Sequence, residues 1–259
     1  MNKFKIIAVG LILTKSLFAT EVIQKDTLGN IALQVGIFKS SVNGTITNED
    51  PNGHTDFEKD LGYDDSKNIN TFAIDLKNDI SWLPNINMSY FKLNSSSTNT
   101  LVGTKNIDGI DLTGSVSSTI EYQEINTKLY GFLYNGPFEF NFGLNIKKID
   151  YIQNIAENTN LKRHIQIEGP SSLLAVPYGA IKVDLAFIDT VLMASTSILS
   201  FGDNEAKDYE YSINYRVMRN IYLSYGYKYN SFKTTNSNND KEIYDVNIKG
   251  NYISCKILF

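Results

Sequence analysis

The chain has 259 residues, with 24 Lys and Arg against 28 Asp and Glu, and one cysteine, Cys255. One cysteine cannot make an internal disulfide, which excludes a disulfide-stapled secreted scaffold. No stretch approaches 18 uninterrupted apolar residues, which excludes a helical membrane protein, and the mild acidity lacks the clustered basic charge of a nucleic-acid binder.

Lys3 and Lys5 precede an apolar run from Ile6 to Leu13, followed by Ser16-Leu17-Phe18-Ala19. A basic start, a short apolar core and a small residue at the cut predict a cleaved export signal over 1–19. The run is too short to span a bilayer, which takes roughly 20 apolar residues. Residues 20–259 are then the mature domain, and since Lys3, Lys5 and Lys15 leave with the signal its charge is 21 − 28 = −7. Tyr 16 and Phe 14 against Trp 1 is a high aromatic load, of the kind membrane barrels place as interfacial girdles.

From Asn30 to Phe38 the residues alternate, with Ile31, Leu33, Val35 and Ile37 opposite Ala32, Gln34 and Gly36. A period of two marks a strand. Lys39 to about Asn68 is polar and holds Glu49, Asp50, Asp56, Glu58, Asp60, Asp64 and Asp65, which predicts a long acidic loop. Thr71 to Lys77 is a second strand, with Phe72, Ile74 and Leu76 opposite Ala73, Asp75 and Lys77. Ser81-Trp82-Leu83-Pro84-Asn85 predicts a tight turn. A third strand begins at Ile86, Met88 and Tyr90 and fades near Asn94, and Ser95 to Ser115 reads as another long polar loop.

A fourth strand starts at Val116 or Ile120 and reaches Tyr134, without a clear assignment of faces; Asn135-Gly136-Pro137 turns it. The fifth is the cleanest, with Phe138, Phe140, Phe142, Leu144 and Ile146 opposite Glu139, Asn141, Gly143, Asn145 and Lys147. The connection from Gln153 to Ser172 contains Leu161, Ile165 and Ile167, which would extend this hairpin above a membrane. The sixth strand spans Leu174 to Phe187 and sets Gly179, Ile181, Val183, Leu185 and Phe187 against Tyr178, Ala180, Lys182 and Asp184. The seventh, Val191 to Phe201, is apolar on both sides, and Gly202 to Ala206 turns it. The eighth opposes Tyr209, Tyr211, Ile213, Tyr215 and Val217 to Asp208, Glu210, Ser212, Asn214 and Arg216; the ninth opposes Ile221, Leu223, Tyr225, Tyr227 and Tyr229 to Tyr222, Ser224, Gly226 and Lys228. After an Asn-rich loop from Thr234 to Asp240, the last strand shows a parity slip near Gly250-Asn251 that predicts a bulge. It closes on Ile253, Cys255, Ile257 and Phe259, an apolar period of two ending in an aromatic ring. Such an end looks like the closing strand of a bacterial outer-membrane barrel and like the signal read by its assembly machinery.

The connections alternate between long polar ones and tight ones at Trp82, Gly136, Asp189 and Arg219. This predicts an all-β fold, a single antiparallel up-and-down transmembrane barrel of about ten strands, with long outer loops and short periplasmic turns. Eight or twelve strands also fit, because the fourth strand and the segment from Leu161 to Ile167 are ambiguous. In a soluble barrel the apolar face is inside. Here the wide aromatic face is opposed by Asp75, Lys77, Glu139, Lys147, Lys182, Asp184, Glu210, Arg216 and Lys228, which are expected to line the lumen. A Lys or Arg on the lipid side at midplane would cost about 2–4 kcal/mol.

The run from Asp56 to Gly62, then Trp82-Leu83-Pro84-Asn85-Ile86, and Phe142-Gly143-Leu144 after a short turn, resemble a family of small proteobacterial outer-membrane β-barrel proteins of unassigned activity. Members typically read His-Pro-Ile-Pro before the Leu-Pro-Asn turn, where this chain has Asn78-Asp79-Ile80-Ser81. The resemblance implies a barrel in the outer membrane and supplies no catalytic residues.

His54 and His164 both fall in expected outer loops, with no Ser nucleophile on a strand end beside them. The run from Asp60 to Asp65 has oxygen ligands for Ca²⁺ without EF-hand spacing. Cys255 has the lipid-facing parity of an apolar filler. No enzyme activity, cofactor or metal is expected. A structural or surface-interaction role through the outer loops, with a lumen filled by paired charges, is favoured over a narrow porin-like channel or solute-binding barrel, and over a lipid-modifying enzyme. Expected partners are outer-membrane lipid, lipopolysaccharide and the barrel assembly machinery, with no nucleic acid and a monomeric state.

Overall fold

The computed structural model describes residues 31–259 apart from 79, 81, 135–136, 159–162, 169–171, 202–203 and 237–241. The expected export signal lies outside the described residues, as does Leu161. Among them the strands are β1 (Ile31–Thr47), β2 (His54–Asp56), β3 (Lys67–Leu76), β4 (Asn85–Thr100), β5 (Lys105–Ile107), β6 (Ile110–Leu112), β7 (Ser115–Tyr134), β8 (Phe138–Glu157), β9 (His164–Glu168), β10 (Ser172–Leu185), β11 (Thr190–Phe201), β12 (Asn204–Met218), β13 (Ile221–Asn236) and β14 (Glu242–Leu258).

Twelve of these strands form one sheet. In it β2 pairs only with the end of β1, and β9 only with the end of β8, which leaves ten that close into a barrel. Closure is the pairing of the first strand with the last, from Ala32 opposite Leu258 to Thr47 opposite Ile243. Phe259 N–H donates to Ile31 O at 2.8 Å and extends the seam. Every ladder is antiparallel, and a closed sheet leaves no backbone edge facing lipid.

The ends of β3, β7, β10 and β12 and the starts of β4, β8, β11 and β13, which the short connections join, lie at one end of the barrel with the Ala32–Leu258 end of the seam. Near that end the outward side chains are apolar. Ile37 is 55% exposed and Ile253 63%, and Phe72, Tyr90, Phe140, Ile181, Ile213 and Leu223 are also exposed. Trp82, Phe138 and Phe187 form an exposed aromatic fringe at the turns, and Tyr90, Tyr211 and Tyr227 stand at the far edge of the belt. On β8 the belt runs from Phe138 to Ile146, which matches the 9–11 residues of a tilted membrane-spanning strand. The fold is a transmembrane β-barrel.

The strands continue past the belt with their polarity reversed. On β8 ten residues follow, Lys148 to Glu157, or about 25 Å at the usual strand rise and tilt. There Lys148, Asp150 and Asn154 point outward, while Ile149, Tyr151 and Ile155 are buried inside. On β1 the outward residues become Lys39, Ser41 and Asn43, and Phe38, Val42 and Ile46 are buried. The barrel is thus lipid-facing over its lower half and built like a soluble barrel over its upper half.

This reversal corrects three expectations. Lys39 to Asn68 is not one long loop. Its first part continues β1, the middle forms β2, and Lys67 begins β3. Ser95 to Ser115 likewise contains the rest of β4 and the β5–β6 hairpin. Both stretches read as loops because their outward face is polar, as solvent requires, and the inward apolar residues are few per turn of the pattern. Third, no bulge occurs at Gly250-Asn251. The ladder runs unbroken through Lys39–Asn251, Ser40–Gly250 and Ser41–Lys249. The apparent slip is the apolar pattern changing face, from Val246 and Ile248 inside to Ile253 and Ile257 outside. Gly250 is needed there for closeness, since a Cβ would lie 1.9 Å from Lys39 O. Register shifts do occur nearer the short turns, between Arg216 and Met218 and between Phe132 and Tyr134. The sixth expected strand also stops at Leu185, where Ala186–Ile188 forms a 3-10 turn, and Asn204 to Ala206 belongs to β12 instead of a turn.

Candidate functional site

The inward face of the lower half is polar, and its charges meet across strands. Asp75 on β3 accepts from Tyr130 Oη at 2.8 Å and faces Lys256 Nζ of β14 at 3.3 Å. Glu139 on β8 pairs with Lys182 on β10 at 2.6 Å. Glu210 on β12 accepts from Tyr252 Oη at 2.7 Å and faces Lys128 Nζ at 3.7 Å. At the short-turn rim Arg216 donates to Tyr222 Oη at 3.0 Å and approaches Asp189 at 3.6 Å. Lys77 follows the end of β3, and Asp184 is exposed at the rim.

Where the two halves meet, a charge cluster crosses the lumen. Lys147 on β8 is fully buried, with Nζ 2.5 Å from Asp208 and 3.0 Å from Glu124. Lys228 lies 3.7 Å from the same Glu124. Glu124 also accepts from Tyr122 Oη, and from Asn126 and Asn230 amides at 2.5 and 3.2 Å. Two carboxylates and two ammonium groups balance, and each buried charge has several donors or acceptors, the condition under which burial of ions is tolerated. The cavity beside them, lined in part by Asn145, Asp208 and Asn230, measures about 10 Å³. That is the size of one water, and Asn145 Oδ1 and Asn230 Oδ1 have no protein partner there.

Directly above the charges sits an aromatic layer. Tyr122 stacks on Phe232 at 6.0 Å and tilts against Phe91 at 5.6 Å, Phe91 meets Phe38 edge-on at 5.9 Å, and Tyr151 meets Phe232 at 5.3 Å. Lys228 Nζ lies 4.7 Å from the Phe91 ring centre, so the two layers are joined by a cation–π contact. Higher still, the β1–β3 connection folds inward. Phe57, Leu61 and Tyr63 are buried in the same apolar cluster as Ile46, Ile107, Leu112 and Val116. Tyr63 Oη donates to Ser118 Oγ at 2.7 Å, and burial pushes its phenol up to about 12. The β5–β6 hairpin is tied down by Lys105 to Asp60 at 2.9 Å and by Asp108 N–H to Glu242 at 2.6 Å.

Glu124, Asp208, Lys128 and Lys256 complete this network and were not among the expected lumen charges. Glu124 falls on β7, whose two faces both look mixed because the strand crosses the polarity boundary. Counting up by twos from Lys128 would have found it. His54 is on β2 and His164 on β9, opposite Thr47 and Ala156 respectively, so pairing does not bring them together. Asp60, from the acidic run, accepts Asp56 N–H at 2.8 Å besides its Lys105 contact. Among the described residues no group of three His, Cys, Asp or Glu is placed to hold a metal. Ile253, Cys255 and Ile257 point outward on β14, ahead of Phe259.

No family model and no curated protein matches the chain. Solved structures similar to it include the outer-membrane protease OmpT of Escherichia coli, at 12% identity and a TM-score of 0.49 over 93% of this chain and 100% of that one. The transport unit of the autotransporter AIDA-I of Escherichia coli is 8% identical with a TM-score of 0.46, over 98% and 97%. The translocator domain of the autotransporter NalP of Neisseria meningitidis is 10% identical with a TM-score of 0.40, over 98% of each.

Proposed function

We propose that this protein is an integral barrel of the bacterial outer membrane whose lumen is sealed, and that it acts as a structural or surface-interaction protein through its extramembrane half. The observation that carries this reading is the double seal: a crossing charge cluster at Glu124, Lys147, Asp208 and Lys228, capped by the Phe38, Phe91, Tyr122 and Phe232 layer. A hydrated ion would have to part buried ion pairs and then cross an apolar plug, which argues against a porin-like channel. The separate placement of the two histidines argues against an enzyme built on them. In this reading the belt is surrounded by outer-membrane lipid, with lipopolysaccharide in the leaflet nearer the long loops. The seam from Ile253 to Phe259 is what the assembly machinery engages, and one chain closes the barrel as a monomer.

Single-channel recording on the purified protein in planar bilayers tests the seal. No conductance steps are expected at neutral pH. Reproducible steps from the folded, heat-modifiable protein would establish the channel reading instead.

A further inference from the structure

Lysines gather at one height on the outer surface. On β1, β4, β8 and β12 the first outward residue past the apolar belt is Lys39, Lys92, Lys148 and Lys207, and on β14 Asn251 is followed by Lys249. Three of these are met by a carboxylate of the same surface: Lys92 by Glu121 at 3.4 Å, Lys148 by Asp150 at 3.1 Å and Lys207 by Glu205 at 2.5 Å. Lys39 and Lys249 differ. Among the described residues neither has an ion pair. Both stand on the closing seam, Lys39 opposite Asn251 and Lys249 opposite Ser41. They are therefore diagonal neighbours on one face, about 7–8 Å apart at the backbone. The next outward carboxylate on β14 is Asp245, four residues farther from the belt, or about 13 Å along the strand, and it faces Lys233 across β13. Exposed Asn251 and Asn68 flank Lys39 on its two neighbouring strands.

We propose that Lys39 and Lys249 hold a phosphate of an anionic glycolipid in the leaflet around the long-loop half, with Asn251 as a hydrogen-bond donor between them. This rests on the outer-membrane reading above. The spacing suits one phosphate between two ammonium groups, and among the described residues no carboxylate pairs with either. Immediately below, Ile37 and Ile253 offer acyl chains an apolar surface on the same two strands. The other border lysines are already neutralised and lack this adjacency.

The test uses the full barrel in detergent micelles, titrated with diphosphoryl lipid A, with its dephosphorylated form and with inorganic phosphate, and read by native mass spectrometry. Wild-type protein is expected to retain diphosphoryl lipid A about 30-fold more tightly than the double variant K39Q/K249Q, the order that two lysines contribute at an anionic lipid surface. The dephosphorylated lipid should bind as weakly to wild type as diphosphoryl lipid does to that variant. K39R/K249R and the paired-lysine control K92Q/K148Q should both behave like wild type. Equal retention by K39Q/K249Q, or an equal loss in K92Q/K148Q, would overturn the site. Displacement of the lipid by millimolar inorganic phosphate would make it a free-anion site only and would overturn the lipid assignment. All variants lie on the exposed surface, and heat-modifiable mobility on gels verifies that each is folded before titration. Conductance or loss of heat-modifiability in the wild type would instead contradict the sealed-barrel reading, independently of lipid retention.

Discussion

The lower and upper halves of this barrel share the same ten strands and the same ladders, yet they solve opposite problems. Below the boundary lipid surrounds the sheet, so Ile253 and Ile257 face out and Ser254 and Lys256 face in. Above it water surrounds the sheet, so Asn247 and Lys249 face out and Val246 and Ile248 are buried. The side-chain period of two is fixed by the backbone, and only the solvent on the outside changes. A continuous strand can therefore carry a pattern that looks broken. The lesson is that the phase at which apolar residues change face locates the membrane surface on each strand.

The largest expected effect lies at the boundary itself. Replacing Lys147 with Ala leaves Glu124 and Asp208 without their shared cation in a fully buried site. The expected loss is about 3–5 kcal/mol, as when one partner of a buried pair is removed. Urea midpoints for the refolded barrel in lipid vesicles measure it. Restoring neutrality in the double variant K147M/D208N, which keeps the Glu124–Lys228 pair, should recover much of that loss. A midpoint for Lys147→Ala within error of wild type would show that the cluster does not tie the halves together.

A smaller contrast compares the same substitution on the same face of one strand. Ile253→Arg places a cation in the lipid belt and should cost about 2–4 kcal/mol. Asn247→Arg, six residues earlier on that face, meets water and should stay within about 0.5 kcal/mol of wild type. Heat-resistant folded fractions at matched expression rank the two. Equal losses would place both positions in the same medium.

The ten closing strands were legible because the belt alternates strongly. Phe138 to Lys147 and Tyr209 to Val217 state their faces outright. The upper half was not legible, for a physical reason. A water-facing strand segment with Lys39, Ser41, Asn43 and Thr45 outward has the composition of a loop, and the buried Val42 and Ile46 between them are too sparse to declare a core. The plug was hidden in the same way. Phe57, Leu61 and Tyr63 sit in an acidic stretch, and only tertiary packing tells that these three turn into the barrel while the acids remain at the surface or bind backbone. Most lumen charges could be named from parity, but their pairing could not, since Lys147 meets Asp208 across 61 residues of sequence.

The most direct measurement of the reversal is a spin-label scan of the outward positions of β14, residues 243, 245, 247, 249, 251, 253, 255 and 257, in reconstituted barrels with Cys255 replaced by Val wherever it is not itself the labelled site. Each nitroxide is tested for collision with dissolved oxygen, which partitions into lipid, and with a water-soluble nickel complex. Nickel accessibility is expected through residue 251, with a switch to oxygen accessibility from residue 253 onward. Oxygen-dominated accessibility extending to residue 243, or nickel accessibility persisting to residue 257, would contradict it.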